Sequence, residues 1–305
     1  MKSILTAMLC VAGMVNVLAC DVCGGAGAMS GLGFLPNSDY YFIGLTYRAR
    51  TYSTEHPKLF ASEATVRGNN MFHTAEVWGR YQLNSRIQLM AFLPVHIKNI
   101  TDTENTYYIN GLGDASLLAN YVIVKKTNLR WFAGGGVKLP TGKSNVEVNN
   151  QVVPNLQTGS GSIDGLFTSN LTYLNGNWGL NTETNITVTT TNKNDYKYGN
   201  QSDASLIFLY KQKKGKIMYV PQLGINLVKT AKDIKSVKNG IAEKYSGADV
   251  LSLPVGLDLY RGNIGLRLNY KIPLLSTVSE GYVIPKVNAQ AQFIFIINKK
   301  EKTQQ

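Results

Sequence analysis

The sequence predicts an all-β chain: a transmembrane, antiparallel, up-and-down β-barrel of about twelve strands. Three observations predict it. From about residue 40 onward, stretches of roughly ten or more residues alternate apolar and polar side chains, the length a tilted strand needs to cross a bilayer. Short and long connections between those stretches alternate strictly. Beyond the N-terminus, no stretch is apolar over the roughly 18 residues that a membrane helix requires.

The chain of 305 residues begins with a secretory signal pattern. Lys2 supplies positive charge, Ile4 to Val15 an apolar run, and Val17-Leu18-Ala19 a cleavage site before Cys20. Residues 1–19 are therefore expected to be a signal peptide. Residues 20–39 are a Gly- and Cys-containing periplasmic segment, 40–298 the barrel, and 299–305 a polar basic tail.

The expected strands are Tyr40–Tyr52, Phe72–Leu83, Arg86–Lys98, Gly113–Lys125, Asn128–Pro140 and Asp164–Leu174. They continue with Trp178–Thr191, Asp203–Gln212, Lys216–Lys229, Ala248–Tyr260, Asn263–Leu274 and Pro285–Asn298. Short turns such as Asn84-Ser85, Lys126-Thr127 and Arg261-Gly262 separate long loops such as Ser53–Met71, Asn99–Leu112, Thr141–Ile163 and Thr230–Gly247. Outer-membrane barrels sort their connections this way, with short turns in the periplasm and long loops outside. The strand count is then even, and both termini are expected in the periplasm.

The faces agree with a wall between lipid and water. In Trp178–Ile186 one face carries Trp178, Leu180 and Ile186, the other Asn181, Glu183 and Asn185. In Asn263–Ile272 Leu266, Leu268 and Tyr270 oppose Arg267, Asn269 and Lys271. An apolar-out, polar-in barrel needs this pattern. Aromatic residues near strand ends (Tyr40, Tyr41, Tyr52, Tyr81, Trp131, Tyr173, Trp178, Tyr260, Tyr282) suit the two interfacial girdles. On this register Arg48, Arg50, Glu76, Arg80, Arg130, Lys138, Glu183, Asp258, Arg267 and Lys271 point into the lumen. They form either a salt-bridged plug or a lining that meets solute.

The formal charge of +12 comes largely from clusters at Lys211–Lys216, Lys229–Lys244 and Lys299–Lys302. In an exported protein these read as solvated turns, a loop and a tail near anionic lipid, and no nucleic-acid partner is expected. Cys10 leaves with the signal. Cys20 and Cys23 stay, too close to a terminus to staple a large fold. The Cys20-Asp21-Val22-Cys23 pair can bind zinc or copper(I), can close a disulfide, or can lose Cys20 to acylation. The histidines His56, His73 and His96 sit in no H-x-S pairing, and no G-x-S-x-G elbow is present. The sequence therefore predicts no enzyme and no cofactor.

Three segments carry a resemblance. They are Gly111-Leu112-Gly113-Asp114-Ala115-Ser116-Leu117, Gly134-Gly135-Gly136-Val137-Lys138-Leu139-Pro140-Thr141-Gly142, and Thr158-Gly159-Ser160-Gly161-Ser162. The chain resembles a family of exported barrels named for the meta-pathway of phenol degradation, treated as outer-membrane transporters. The resemblance implies that these motifs start one strand and close its partner before a long loop. Some similar barrels carry a Cys-rich mature N-terminus, which implies metal handling, copper above all. The expected function is passive or facilitated passage of a small solute, a hydrophobic compound or a metal species, with outer-membrane lipid as the other partner. The alternatives are a non-transporting structural or docking barrel with a plugged lumen and, more distantly, a membrane-embedded hydrolase.

Overall fold

The computed structural model describes residues 41–56, 66–101, 106–148, 151–235, 240–242 and 246–297. Twelve strands form the barrel: β1 (Tyr41–His56), β2 (Val66–Gln82), β3 (Ile87–Thr101), β4 (Ala115–Lys125), β5 (Leu129–Leu139) and β6 (Asp164–Asn175), then β7 (Trp178–Val188), β8 (Gln201–Tyr210), β9 (Ile217–Thr230), β10 (Ala248–Arg261), β11 (Ile264–Val278) and β12 (Val283–Ile297). Each pairs antiparallel with its neighbours in sequence, and β1 pairs with β12 from Tyr41↔Ile297 to Thr54↔Val283, which closes the ring. The chain is thus a closed twelve-strand up-and-down barrel.

Local chemistry fixes the turns. Between β2 and β3 the Asn84 side-chain oxygen accepts the backbone N–H groups of Arg86 and Ile87, both at 2.9 Å, an Asx turn that lets the chain reverse. At the other end several strands run past the expected limits. β1 and β2 stay paired to His56↔Val66, and Thr106–Leu112 pairs with the end of β3 from Thr101↔Thr106 to Val95↔Leu112. Alternation marks only the stretch that meets lipid. Backbone pairing continues beyond it wherever Thr and Asn side chains tolerate water. Three short strands, Tyr196–Lys197, Ile234–Lys235 and Ile241–Ala242, form a small sheet that joins two of the long connections.

The outer face is the predicted apolar belt. On β1 and β2, Leu45 lies opposite Val77, both exposed. They sit between a Tyr41–Tyr81 stack (5.0 Å) and a Tyr47–His73 stack (5.9 Å). Tyr81, Trp131, Tyr173 and Trp178 are exposed as a girdle requires. Tyr52 and Tyr260 are not part of it. Tyr260 shares the inward parity of Asp258 and is buried, and Tyr52 packs edge-on against inward-facing Phe72 at 5.8 Å. Position near a strand end does not set the face; the two-residue period does.

The inner face departs from a simple polar lining. Phe42, Trp78, Met90, Phe92, Leu209, Val220, Tyr260, Ile294 and Ile296 toward the short turns, with Leu118 and Leu166 from nearer the long-loop ends of their strands, form one contiguous buried cluster. These residues come from nine of the twelve strands, so the cluster reaches across the bore. Trp78 and Phe92 stack at 6.4 Å, and the Arg80 guanidinium lies 4.0 Å from the centre of the Phe42 ring. Opposite Trp78 in register stands Gly44, where a Cβ would fall 2.2 Å from the indole. The bare wall at Gly44 lets the indole lie flat against β1, so a methyl group there would unseat the largest side chain of the layer.

Candidate lumenal site

The polar half of the lumen lies between this apolar layer and the long loops. Its side chains are presented by the strand period: even-numbered positions of β1–β6, β9, β10 and β12 point inward, and odd-numbered positions of β7, β8 and β11. The ten charged residues singled out from the sequence all occupy inward positions. Arg48, Glu76, Arg80, Lys138, Glu183, Asp258 and Arg267 are buried, while Arg50, Arg130 and Lys271 are half-buried.

They form several separate clusters. Next to the apolar layer, Arg267 makes a two-pronged ion pair with Asp258, Nε to Oδ1 and Nη2 to Oδ2 both at 2.9 Å. The Tyr260 hydroxyl is 3.2 Å from each partner, and Arg267 also donates to the Gln292 side-chain oxygen at 3.2 Å. Gln292 in turn donates to Thr46 at 3.0 Å, which links β10, β11, β12 and β1. Higher up, Arg48 pairs with Glu76 at 2.9 Å and donates to Gln290 at 3.3 Å. Across the lumen Lys271 donates to Asn226 at 2.9 Å and lies 3.7 Å from Asp203. Glu183 accepts from Asn185 at 2.9 Å, beside a ladder in which Asn181 donates to Asn170 and Thr172. Arg80 covers Phe42, as described. Arg130 sits near the start of β5, away from these groups.

The last cluster was not legible as a site. Asp114, just before β4, accepts the backbone N–H of Gly142 (3.1 Å), the backbone N–H of Ser160 (2.7 Å) and the Ser160 hydroxyl (2.6 Å). Lys138 binds Asp164 at 2.6 Å and reaches within 3.8 Å of Asp114. Thr141 donates to the Gly113 carbonyl and accepts from the Ala115 N–H, both at 2.8 Å. Gly142 and Gly159 touch backbone to backbone, since a Cβ on Gly142 would fall 2.7 Å from the Gly159 Cα. The three motifs that carried the family resemblance therefore meet at one point. Together they fold the 141–163 connection inward. The fold continues to the Pro154–Leu156 turn, where Lys98 donates to the carbonyls of Asn155 (3.2 Å) and Gln157.

What remains open is a pair of compartments. One lies under the inward loop, lined by Arg48, Arg50, Glu76, His96, Lys98, Asp114, Lys138 and Ser160 among others, with a cavity volume of about 70 Å³, partly open to solvent. The other lies against β9–β12, lined by Tyr52, Asp203, Asn226, Val228, Val250, Lys271, Val278 and Lys286 among others, with a cavity volume of about 120 Å³, likewise partly open. Arg48, Arg50 and Gln201 border both. Six cationic side chains face the two compartments against three carboxylates, Glu76, Asp114 and Asp203. Such a surplus draws anions and repels cations.

His96 accepts or donates at Thr74 (3.0 Å) and faces the first compartment; His73 faces outward beside Tyr47. Cys20 and Cys23 lie outside the described residues. So do the signal segment and the basic tail. Among the described residues no group of three or more His, Cys, Asp or Glu is placed to hold a metal ion.

No family model and no curated protein matches the chain. Solved structures do. An outer membrane channel from Pseudomonas putida F1 superposes with a TM-score of 0.65 at 13% identity, covering 88% of this chain and 99% of that one. The β domain of the Bordetella autotransporter BrkA superposes with a TM-score of 0.51 at 10% identity, covering 84% and 99%. At these identities the likeness is one of fold. The resemblance to the phenol-pathway barrels is accordingly carried only as far as an outer-membrane barrel. The expectation that the chain is no enzyme is corrected. LpxR from Salmonella typhimurium also superposes, at 9% identity with a TM-score of 0.42, covering 83% of this chain and 99% of that one, a likeness too distant to carry a role. A strand wall can carry a catalytic group without any change in its alternation, so the pattern that predicts the barrel leaves catalysis open. With its apolar belt and closed ring, the chain has the fold of an outer-membrane β-barrel.

Proposed function

We propose that the barrel mediates passive or facilitated passage of a small solute across the outer membrane, with the long loops outside and both termini in the periplasm. The observation that carries this reading is the pair of polar compartments inside the lumen, each partly open to solvent. A purely structural barrel has no need of space between its side chains, because packing it full would be more stable. The cationic surplus speaks against a metal cation as the solute and for an anionic one. The apolar layer toward the short turns supports a second reading, a barrel with a plugged lumen that serves as a docking platform.

Liposome swelling separates the two. Purified protein in liposomes is expected to speed the entry of L-arabinose and sodium benzoate over protein-free controls. No acceleration for either solute would sink the passage reading and leave the plugged barrel. Orientation rests on the sorting of connection lengths. In a background without native cysteines, Asn145→Cys on intact cells is expected to react with a membrane-impermeant maleimide, and Lys214→Cys is not. The reverse pattern would invert the barrel.

A further inference from the structure

We propose that Arg50 is the recognition group for an organic acid: it grips the carboxylate while the acid's apolar body lies along the wall of the second compartment. The proposal deepens the passage reading and rests on it.

Four observations lead there. Arg50 stands on the boundary, bordering both compartments, so a solute that moves between them passes its guanidinium. Its neighbour Arg48 is already neutralised by Glu76 at 2.9 Å. Arg50, by contrast, makes no hydrogen bond or ion pair with any described residue, and its Nε is buried without an acceptor. A buried donor left in that state lacks a hydrogen bond that a bound anion would supply. The planar guanidinium fork matches a carboxylate in two-pronged fashion. Finally, the wall beside it is apolar. Tyr52 and Val250 pack against the buried cluster of Ala248, Val278 and Val283, and Tyr52, Val228, Val250 and Val278 all line the second compartment. A bare inorganic anion would use the arginine and leave that wall wet. An acid with a hydrocarbon or aromatic body uses both.

Calorimetric titration of the full-length refolded barrel in detergent tests this, with three probes: sodium benzoate, its neutral isostere benzamide, and inorganic phosphate. Wild-type protein is expected to bind benzoate at least about tenfold more tightly than either benzamide or phosphate. Arg50→Met is expected to lose benzoate binding by at least about tenfold, and Arg50→Lys to retain part of it. Heat-modifiable mobility on a gel checks that each variant is a closed barrel. If Arg50→Met does not close, Val250→Asp serves instead: it leaves the arginine in place and is expected to weaken benzoate while sparing phosphate. Equal benzoate binding by wild type and Arg50→Met overturns the proposal, as does no benzoate binding by wild type. Phosphate binding as tight as benzoate overturns the organic-acid class. The two readings fail separately. Binding that depends on Arg50 without swelling defeats passage alone, and swelling without such binding defeats the site alone.

Discussion

Replacing Asp258 by Ala should cost about 3–5 kcal/mol of barrel stability, because it removes the two-pronged ion pair of the buried Arg267. The carboxylate supplies both prongs of the guanidinium's ion pair and a contact to Tyr260. Two of its other neighbours, the Gln292 amide oxygen and the Tyr260 hydroxyl, carry no charge. The damage should be largely absent in the double variant Asp258→Leu with Arg267→Leu. Both inward positions border the apolar layer, and leucine there extends that layer instead of leaving a buried charge without its carboxylate. Urea titration of the refolded protein in lipid measures both. A double variant as unstable as the single one would mean that the site requires the polar pair for its shape, and not merely for mutual compensation.

Asp114→Ala should release the inward connection. One carboxylate holds Gly142 and Ser160 by three hydrogen bonds, each of a kind worth roughly 1.5–3 kcal/mol when the acceptor is charged. Even half of that sum shifts a local opening equilibrium by about fiftyfold or more. Lys143 lies in the freed segment, where its carbonyl accepts from the backbone of Thr158 and Gly159. Tryptic cleavage after Lys143 in folded protein should therefore accelerate by about that factor. Ser160→Ala, which removes the hydroxyl and keeps the backbone N–H, should accelerate it less. Cleavage of Asp114→Ala at the wild-type rate would show that the loop is held elsewhere, for instance through Lys98 and Gln157.

The strands were legible because lipid imposes a strict period of two on one face. Ile264, Leu266, Leu268 and Tyr270 announce their side of β11 without any knowledge of neighbours. The apolar layer was not legible. In Phe293–Ile297 both faces are apolar, and alternation cannot assign Ile294 and Ile296 to a packed interior when Phe293 and Phe295 already satisfy the lipid side. The inward charges could be placed by the same parity, yet not their pairings. Arg267 meets Asp258 through strand register, and Arg48 meets Glu76 from positions not directly opposite. Asp114 was harder still. It precedes β4, where no alternation applies, and its function depends on a connection that returns 28 to 46 residues later. The glycines around it were the available signal, since three Gly-rich segments near one rim suggest close backbone approach.

The ring has a seam, and the seam has a kinetic meaning. Eleven of the twelve pairings join strands consecutive in the chain; the twelfth brings Tyr41 to Ile297. Closing that span costs roughly 2–3 kcal/mol more chain entropy than closing a hairpin of about 15 residues. Hairpins therefore zip first, and a curled sheet with two free margins precedes the ring. Until the margins meet, β1 and β12 expose unpaired backbone groups, which hydrocarbon does not tolerate. The side chains that bridge those two strands, Arg48 to Gln290 and Gln292 to Thr46, then act as a latch on the slowest step. Their worth lies less in holding the finished wall than in keeping the last-formed junction from reopening.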